Sequence, residues 1–353
     1  MDIQNNNTEY KSNPVGLLVL CLISTILLLY VSYLTVLPFM DFAGIIAFGA
    51  LCASYSVLLR KGIFLTYVIP PAVSIAVITF IYTPTGIFSP DALMCYITLI
   101  FAIIVSAVAN ICAHKKSSYG TSFTAIAVSV AVYICTVLLF LVYNKYNSLS
   151  IEILKNALND TAALIGSIFS QFLEELPPEL STEAAQYKEL FEMYGKNMET
   201  RFKLTFPSMI AVTAMSIAAI VNIFSKPFAK FSGTENEYLE GRTLSFEMSG
   251  TSAICFEIVY FAYVIILLFV DNFMLQTAFV NLVSVLTFPF GYIGLRYIAR
   301  KLKNTTGSKL AAVAITTISA VILSVLLGGS IFMLAALIGS SSINRKMLYN
   351  KSE

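Results

Sequence analysis

Glu257 is the residue of this sequence best equipped for chemistry. It is the one carboxyl in the apolar run Thr251 to Val270, and an ionisable group inside lipid is costly unless it faces a partner or a water-filled cavity. Tyr260 follows one helical turn later, with Tyr263 on a neighbouring face. Such a site would bind a cation or an amine, or accept a proton. The structural alternative is a carboxyl near the cytoplasmic interface, hydrogen-bonded to a neighbouring helix. Asn281 lies inside the next apolar run and would face Glu257 if the two helices pair antiparallel. Glu257, Asn281 and Tyr260 are therefore the candidate substrate-binding residues. Asn110, Asn222, Asn272 and Gln276, with Asp271 in a turn, read as interhelical hydrogen-bonding groups, amides in membranes contributing about 1 kcal/mol each.

Other chemistries lack their residues. The single histidine, His114, precedes Lys115 and Lys116 at a helix end, and no second His or Cys/Asp/Glu cluster supplies metal-ligand spacing. Cys21, Cys52, Cys95, Cys112, Cys135 and Cys255 are scattered through apolar segments without CxxC spacing, and read as small hydrophobes. There is no P-loop, GxGxxG, GxSxG or HExxH. The expectation is a protein that is not an enzyme, with no catalytic, cofactor-binding or metal residues and no cofactor. A net charge of +2 without a basic and aromatic stripe sets nucleic acid aside as a partner.

The elements that would hold Glu257 follow from composition. The chain has 353 residues, 58% hydrophobic and 12% charged, against roughly 25% charged in soluble domains. Val15 to Leu37 and Leu310 to Gly339 contain no ionisable acid or base, and roughly 20 apolar residues suffice to cross a bilayer core. The reading is an all-α, polytopic transmembrane helix bundle of about nine to ten segments whose first partner is the lipid bilayer. Spans are expected near 15 to 37, 42 to 59, 63 to 82, 91 to 113, 122 to 143, 204 to 225, 251 to 270, 275 to 299 and 310 to 342. Pro38, Pro84 and Pro90 fall at edges, whereas Pro70 and Pro71 fall inside the third span and should kink or break it. The first run is too long for a cleavable signal peptide and should remain as a span. Ala102, Ser106, Ala109 and Ala113, like Ala211, Ala214 and Ala218, space small side chains for close helix packing.

Domain organisation follows: a cytoplasmic N-terminal tail (1–14), a five-span bundle (15–143), an external amphipathic hairpin (144–203), a second bundle (204–343) and a cytoplasmic tail (344–353). Basic residues set the orientation. With the N-terminus cytoplasmic, Lys11, Arg60, Lys61, Lys115, Lys116, Lys226, Lys230, Arg242, Arg296, Arg300, Lys301, Lys303 and Lys309 all fall on that side. This makes a multi-pass protein of the cell membrane. The last apolar run would put Arg345, Lys346 and Lys351 outside if it crossed once. Gly328 and Gly329 near its middle favour two short helices, or a re-entrant pair, over one long tilted helix.

In the hairpin, Ile151, Leu154, Leu158, Ile165, Ile168, Phe169 and Phe172 recur at helical spacing before the breaker Pro177-Pro178. Tyr187, Leu190, Phe191, Tyr194 and Met198 form a second stripe after the N-cap Ser181. Two such helices would form either a structural cap or a lid over a substrate cavity.

Five spans, a helical insertion, Phe206-Pro207-Ser208 opening the sixth span, and Ala335 to Gly339 before Asn344-Arg345-Lys346 together resemble the YybS-like family. Its members are membrane proteins of Firmicutes with a domain of unknown function. The Pro-Ser pair is matched by Pro207 and Ser208, and the closing Gly and Arg-Lys by Gly339, Arg345 and Lys346. Ser340 to Ile343 lacks the family's usual acid, and its Thr-Glu-Gly-Ala opening of the first helix is missing. The resemblance implies distant similarity to substrate-binding S components of energy-coupling-factor transporters and to membrane scaffolds of the MreD kind, and supplies no catalytic residues. Two functions are expected from it. One is small-molecule solute binding for transport, served by a separate energising module. The other is a non-catalytic scaffold for cell-envelope or signalling proteins.

Overall fold

A computed structural model describes residues 13–34, 41–61, 64–174, 178–234, 248–327 and 330–350. Lys11 and most of the N-terminal tail, Pro38, Pro177, Arg242, Gly328, Gly329 and Lys351 lie outside the described residues. Every element within them is helical. Seven helices among them are long and apolar enough to cross a membrane, and three more are apolar but shorter.

The chain divides into two compact units. The first, residues 1–145 and 213–245, holds α1 (Pro14–Leu29, continued by a π-helical turn Tyr30–Leu34), α2 (Phe42–Lys61), α3 (Phe64–Tyr82), α4 (Pro90–His114) and most of α5 (Tyr119–Tyr146). Pro90, preset for a helical first turn, begins α4 behind Ser89, whose hydroxyl accepts from the Ala92 N–H at 3.3 Å. α3 stays helical through Pro70 and Pro71. The bonds they forfeit belong to the helix's first turns, so the later ladder is untouched.

Polar groups inside this unit are mostly hydroxyls that pair. Ser24 donates to Ser54 at 2.9 Å, joining α1 to α2, and the Thr98 and Tyr133 hydroxyls meet at 3.0 Å, joining α4 to α5. Tyr133 also stacks on Phe48, ring centroids 5.1 Å apart. Asn222, from the part of a long helix that belongs here, accepts from Ser122 at 3.4 Å and donates to the Ala218 carbonyl. Arg60 Nη1 lies 2.5 Å from His114 Nδ1, tying the ends of α2 and α4. A guanidinium only donates, so this nitrogen accepts.

The second unit comprises residues 146–212 and 246–353. It contains α6 (Ile151–Glu174), the start of α7 (Pro178–Phe231), α8 (Gly250–Phe269), α9 (Phe273–Thr306), α10 (Lys309–Leu327) and α11 (Ser330–Asn350). α7 runs unbroken from the second amphipathic stripe into the apolar stretch, with no boundary at residues 203 and 204. Its 54 residues give a length of about 81 Å at 1.5 Å per residue. α6 crosses it where Gly166 meets Gly195: a Cβ on Gly195 would sit 2.5 Å from the Gly166 carbonyl oxygen.

The final apolar run is two helices, α10 and α11. Asn272 caps α9 by accepting from the Leu275 N–H at 3.1 Å, and Gly307 ends it at φ 69°, a left-handed conformation that glycine adopts without strain. α8 and α9 are antiparallel across a three-residue turn, and Phe256 stacks on Phe290 at 4.6 Å. Phe332 lies against Gly291 and Phe288, while Ala335 and Gly339 meet Gly294. Later residues meet later residues, so α9 and α11 run in the same direction, and α10 carries the chain back between them. Without side chains, Gly294 and Gly339 let the two backbones touch, the small-residue packing available where lipid supplies no hydrophobic drive.

Candidate functional site

Glu257 is where these helix directions converge. α8 presents it half-buried beside Phe256, which belongs to a cluster with Ala253, Phe290 and Ala336. α11, antiparallel to α8, brings two donors to the same carboxyl oxygen: Ser340 Oγ at 2.9 Å and Asn344 Nδ2 at 3.0 Å from Oε1. Ser340 and Asn344 are four apart, so both lie on one face of α11. Among the described residues Oε2 has no hydrogen-bond partner and is not buried, and no cationic side chain pairs with the carboxyl. Asn344 Oδ1 is buried without a partner among the described residues. An unpaired buried amide oxygen costs about 1–3 kcal/mol. The site therefore leaves two oxygens unmet, Oε2 of Glu257 and Oδ1 of Asn344.

Tyr260 stands one turn from Glu257, its ring 6.3 Å from that of Phe256 and 6.2 Å from that of Tyr263. Its hydroxyl has no hydrogen bond among the described residues. The ring thus borders the carboxyl on the face that α8 shares with it.

Asn281 sits elsewhere. The Phe256–Phe290 stack fixes the register of α8 on α9, so Glu257 lies level with Pro289 and Asn281 is eight residues away along α9, about 12 Å at helical rise. The structure brings Asn281 to α7. Its Oδ1 accepts from the Ser208 N–H at 2.7 Å, while its Nδ2 donates to the Leu204 carbonyl at 2.7 Å and to Thr277 O at 2.7 Å. Ser208 N–H and Leu204 C=O are the pair that an uninterrupted α-helix joins to each other. The carboxamide, carrying the same donor and acceptor as a peptide group, bridges them immediately after Pro207, where the ladder has already lost one bond. Proline inside a membrane helix is tolerated when a neighbour meets the freed backbone groups. Asn281 holds the next pair of the ladder, the Leu204 carbonyl and the Ser208 N–H, where α7 continues through Pro207.

Sequence reasoning missed Ser340 and Asn344. Their signal was available: a Ser-Ser-Ser run followed by Asn at helical spacing, in the last apolar helix. It was hidden because the acid that these donors serve lies 83 and 87 residues away on another helix. Among the described residues no group of three or more His, Cys, Asp or Glu side chains is placed to hold a metal ion. Comparison with protein-family models, with curated proteins and with solved structures finds no match to this chain.

Proposed function

We propose that this chain is a transport-related integral membrane protein that binds a small solute at Glu257 and relies on a separate module for energy. The observation that carries this reading is the open Oε2 of Glu257, a carboxyl oxygen on an apolar helix with no partner among the described residues. A carboxyl kept only to glue helices together is expected to spend both oxygens, because each unmet polar group in an apolar setting costs stability. The lack of a nucleotide-binding motif and the resemblance to the YybS-like family, with its S-component similarity, point the same way. The test is a thermal-unfolding screen of the purified full chain against a broad solute panel. Stabilisation that disappears in Glu257→Gln supports the reading, and a panel without a single Glu257-dependent response removes it.

The same proposal has nine or ten membrane segments, a cytoplasmic N-terminus and the amphipathic hairpin 144–203 outside the cell membrane. Single cysteines placed at Ser150 and Ser308 in a cysteine-free background check it. An impermeant thiol reagent added to intact cells should label the first and spare the second; the reverse pattern inverts the topology.

One observation favours the scaffold instead. α6 exposes Ile151, Leu164 and Ile168, at 88%, 62% and 54% of their surface, an apolar stripe of the kind that docks partners. Deleting Ser150 to Thr200 should then abolish partner recovery by crosslinking, and an unchanged partner set would count against it.

A further inference from the structure

The open carboxyl oxygen of Glu257 restricts what can fill the site. Ser340 Oγ lies 2.9 Å from Oε1 and 3.0 Å from the Leu337 carbonyl, between which its one hydrogen is shared, and Asn344 Nδ2 gives Oε1 one of its two hydrogens. What remains is Oε2, the second N–H of Asn344 and the buried, unpartnered Asn344 Oδ1. Because both heteroatoms of the Asn344 amide sit on one carbon, Oδ1 is next to the carboxyl its Nδ2 contacts. An incoming carboxylate or phosphate would set negative charge against the open carboxyl oxygen. The ligand must therefore present hydrogen-bond donors, positive charge, or both.

Charge narrows the choice further. One carboxyl with no cationic side chain paired to it among the described residues is balanced by a single positive charge. Calcium takes six to eight oxygens and magnesium a near-ideal octahedron, and no acid, histidine or cysteine cluster among the described residues supplies such a set. A quaternary ammonium has the right charge but no N–H to donate to Oε2. A primary ammonium carries one charge and three donors, one of which can meet Oε2. The ring of Tyr260, one turn from the carboxyl, adds a face that favours a cation.

We infer that the Glu257–Ser340–Asn344 cluster binds a primary ammonium group, and this rests on the proposal that Glu257 is a solute site. Two sources carry that group: a water-soluble amine, and the ethanolamine headgroup of a phospholipid. The second is within reach because α8 turns Ile254, Ile258 and Phe261 outward around Glu257.

The experiment compares ethanolamine with choline, which differ in whether the nitrogen has N–H groups. Each is added to the detergent-purified full chain at matched ionic strength, beside ethylammonium, sodium and calcium chlorides. In parallel, the chain is placed in nanodiscs of phosphatidylethanolamine or of phosphatidylcholine. A soluble amine is identified if ethanolamine and ethylammonium raise the unfolding midpoint by roughly 5 °C at saturation while choline, sodium and calcium do not. A lipid headgroup is identified if only phosphatidylethanolamine nanodiscs stabilise. Either response should vanish in Glu257→Gln and weaken in Asn344→Leu. The wild-type comparison needs no variant to fold. Equal responses to ethanolamine and choline, a response to calcium alone, or no amine response in either arm overturns the inference. A Glu257-dependent response to a neutral or anionic solute overturns it too, while leaving the solute-binding reading in place; that reading falls only if no solute of any class responds through Glu257.

Discussion

Asn281 and Glu257 lie on neighbouring antiparallel helices of one unit, and both are half-buried polar side chains in apolar surroundings. They differ in what each leaves unspent. The Asn281 amide uses its oxygen once and its nitrogen twice, all on backbone groups. Glu257 concentrates its two bonds on one oxygen and leaves the other open, beside an amide oxygen that is itself unmet. A closed polar group contributes to stability, whereas an open one forgoes some stability in order to stay available. That difference is the argument for placing function at the second and architecture at the first.

The largest effect should come from breaking the contact that assembles the open site. In Gly294→Leu the new side chain collides with the backbone around Ala335 and Gly339, so α9 and α11 cannot close. We expect destabilisation of about 3 kcal/mol or more, read as loss of folded protein on size exclusion and a lowered unfolding midpoint. The midpoint of Gly120→Leu, where a Cβ meets nothing within 4 Å, should barely move.

Next in size is Asn281→Leu. It removes three hydrogen bonds and leaves Ser208 N–H and Leu204 C=O to close on each other past Pro207, and we expect a loss of about 2–3 kcal/mol. Restoring the missing backbone donor with Pro207→Ala should cost less in the Asn281→Leu background than in the wild type, with a coupling above about 0.5 kcal/mol in a double-mutant cycle. Strict additivity would mean that the amide does not serve the proline.

These two sites also show what the sequence made legible. Apolar run lengths were sufficient for the helices, because a bilayer-spanning helix satisfies its own backbone and needs only about 20 apolar residues. The division of residues 310–342 was legible too, from excess length and from Gly328-Gly329. The partners of Glu257 were not, since they lie 83 and 87 residues away on another helix, and no local periodicity reports which helices pack. The expectation that Asn281 faces Glu257 if the two helices pair antiparallel had the right helices and an undetermined register. The Phe256–Phe290 stack supplies that register. The continuity of α7 was hidden for a similar reason: Pro207 is a local stop signal, and Asn281, which holds the next pair of the ladder, is remote in sequence.

Glu257→Gln should separate the two roles within one residue. The amide oxygen still accepts from Ser340 and Asn344, so stability should change by under about 1 kcal/mol. The negative charge is lost, so the solute-induced rise in midpoint should disappear. A large loss of stability without any solute effect would move Glu257 into the same class as Asn281.

The smallest expected effect is the most discriminating for the extent of the open site. Tyr260 packs its ring against Phe256 and Tyr263, and its hydroxyl has no hydrogen bond among the described residues. Tyr260→Phe keeps the ring and removes an unused group, so the unliganded midpoint should stay within the equivalent of about 0.5 kcal/mol. If the site is confined to Glu257 and Asn344, the solute response is also unchanged. If Tyr260 belongs to it, the hydroxyl acquires a partner only when the solute is present, and Tyr260→Phe weakens apparent affinity several-fold while leaving the empty protein as stable as before. We expect the second outcome, because Tyr260 shares a face of α8 with the carboxyl and stands one turn from it. Titrating the midpoint against solute concentration in both proteins distinguishes the two.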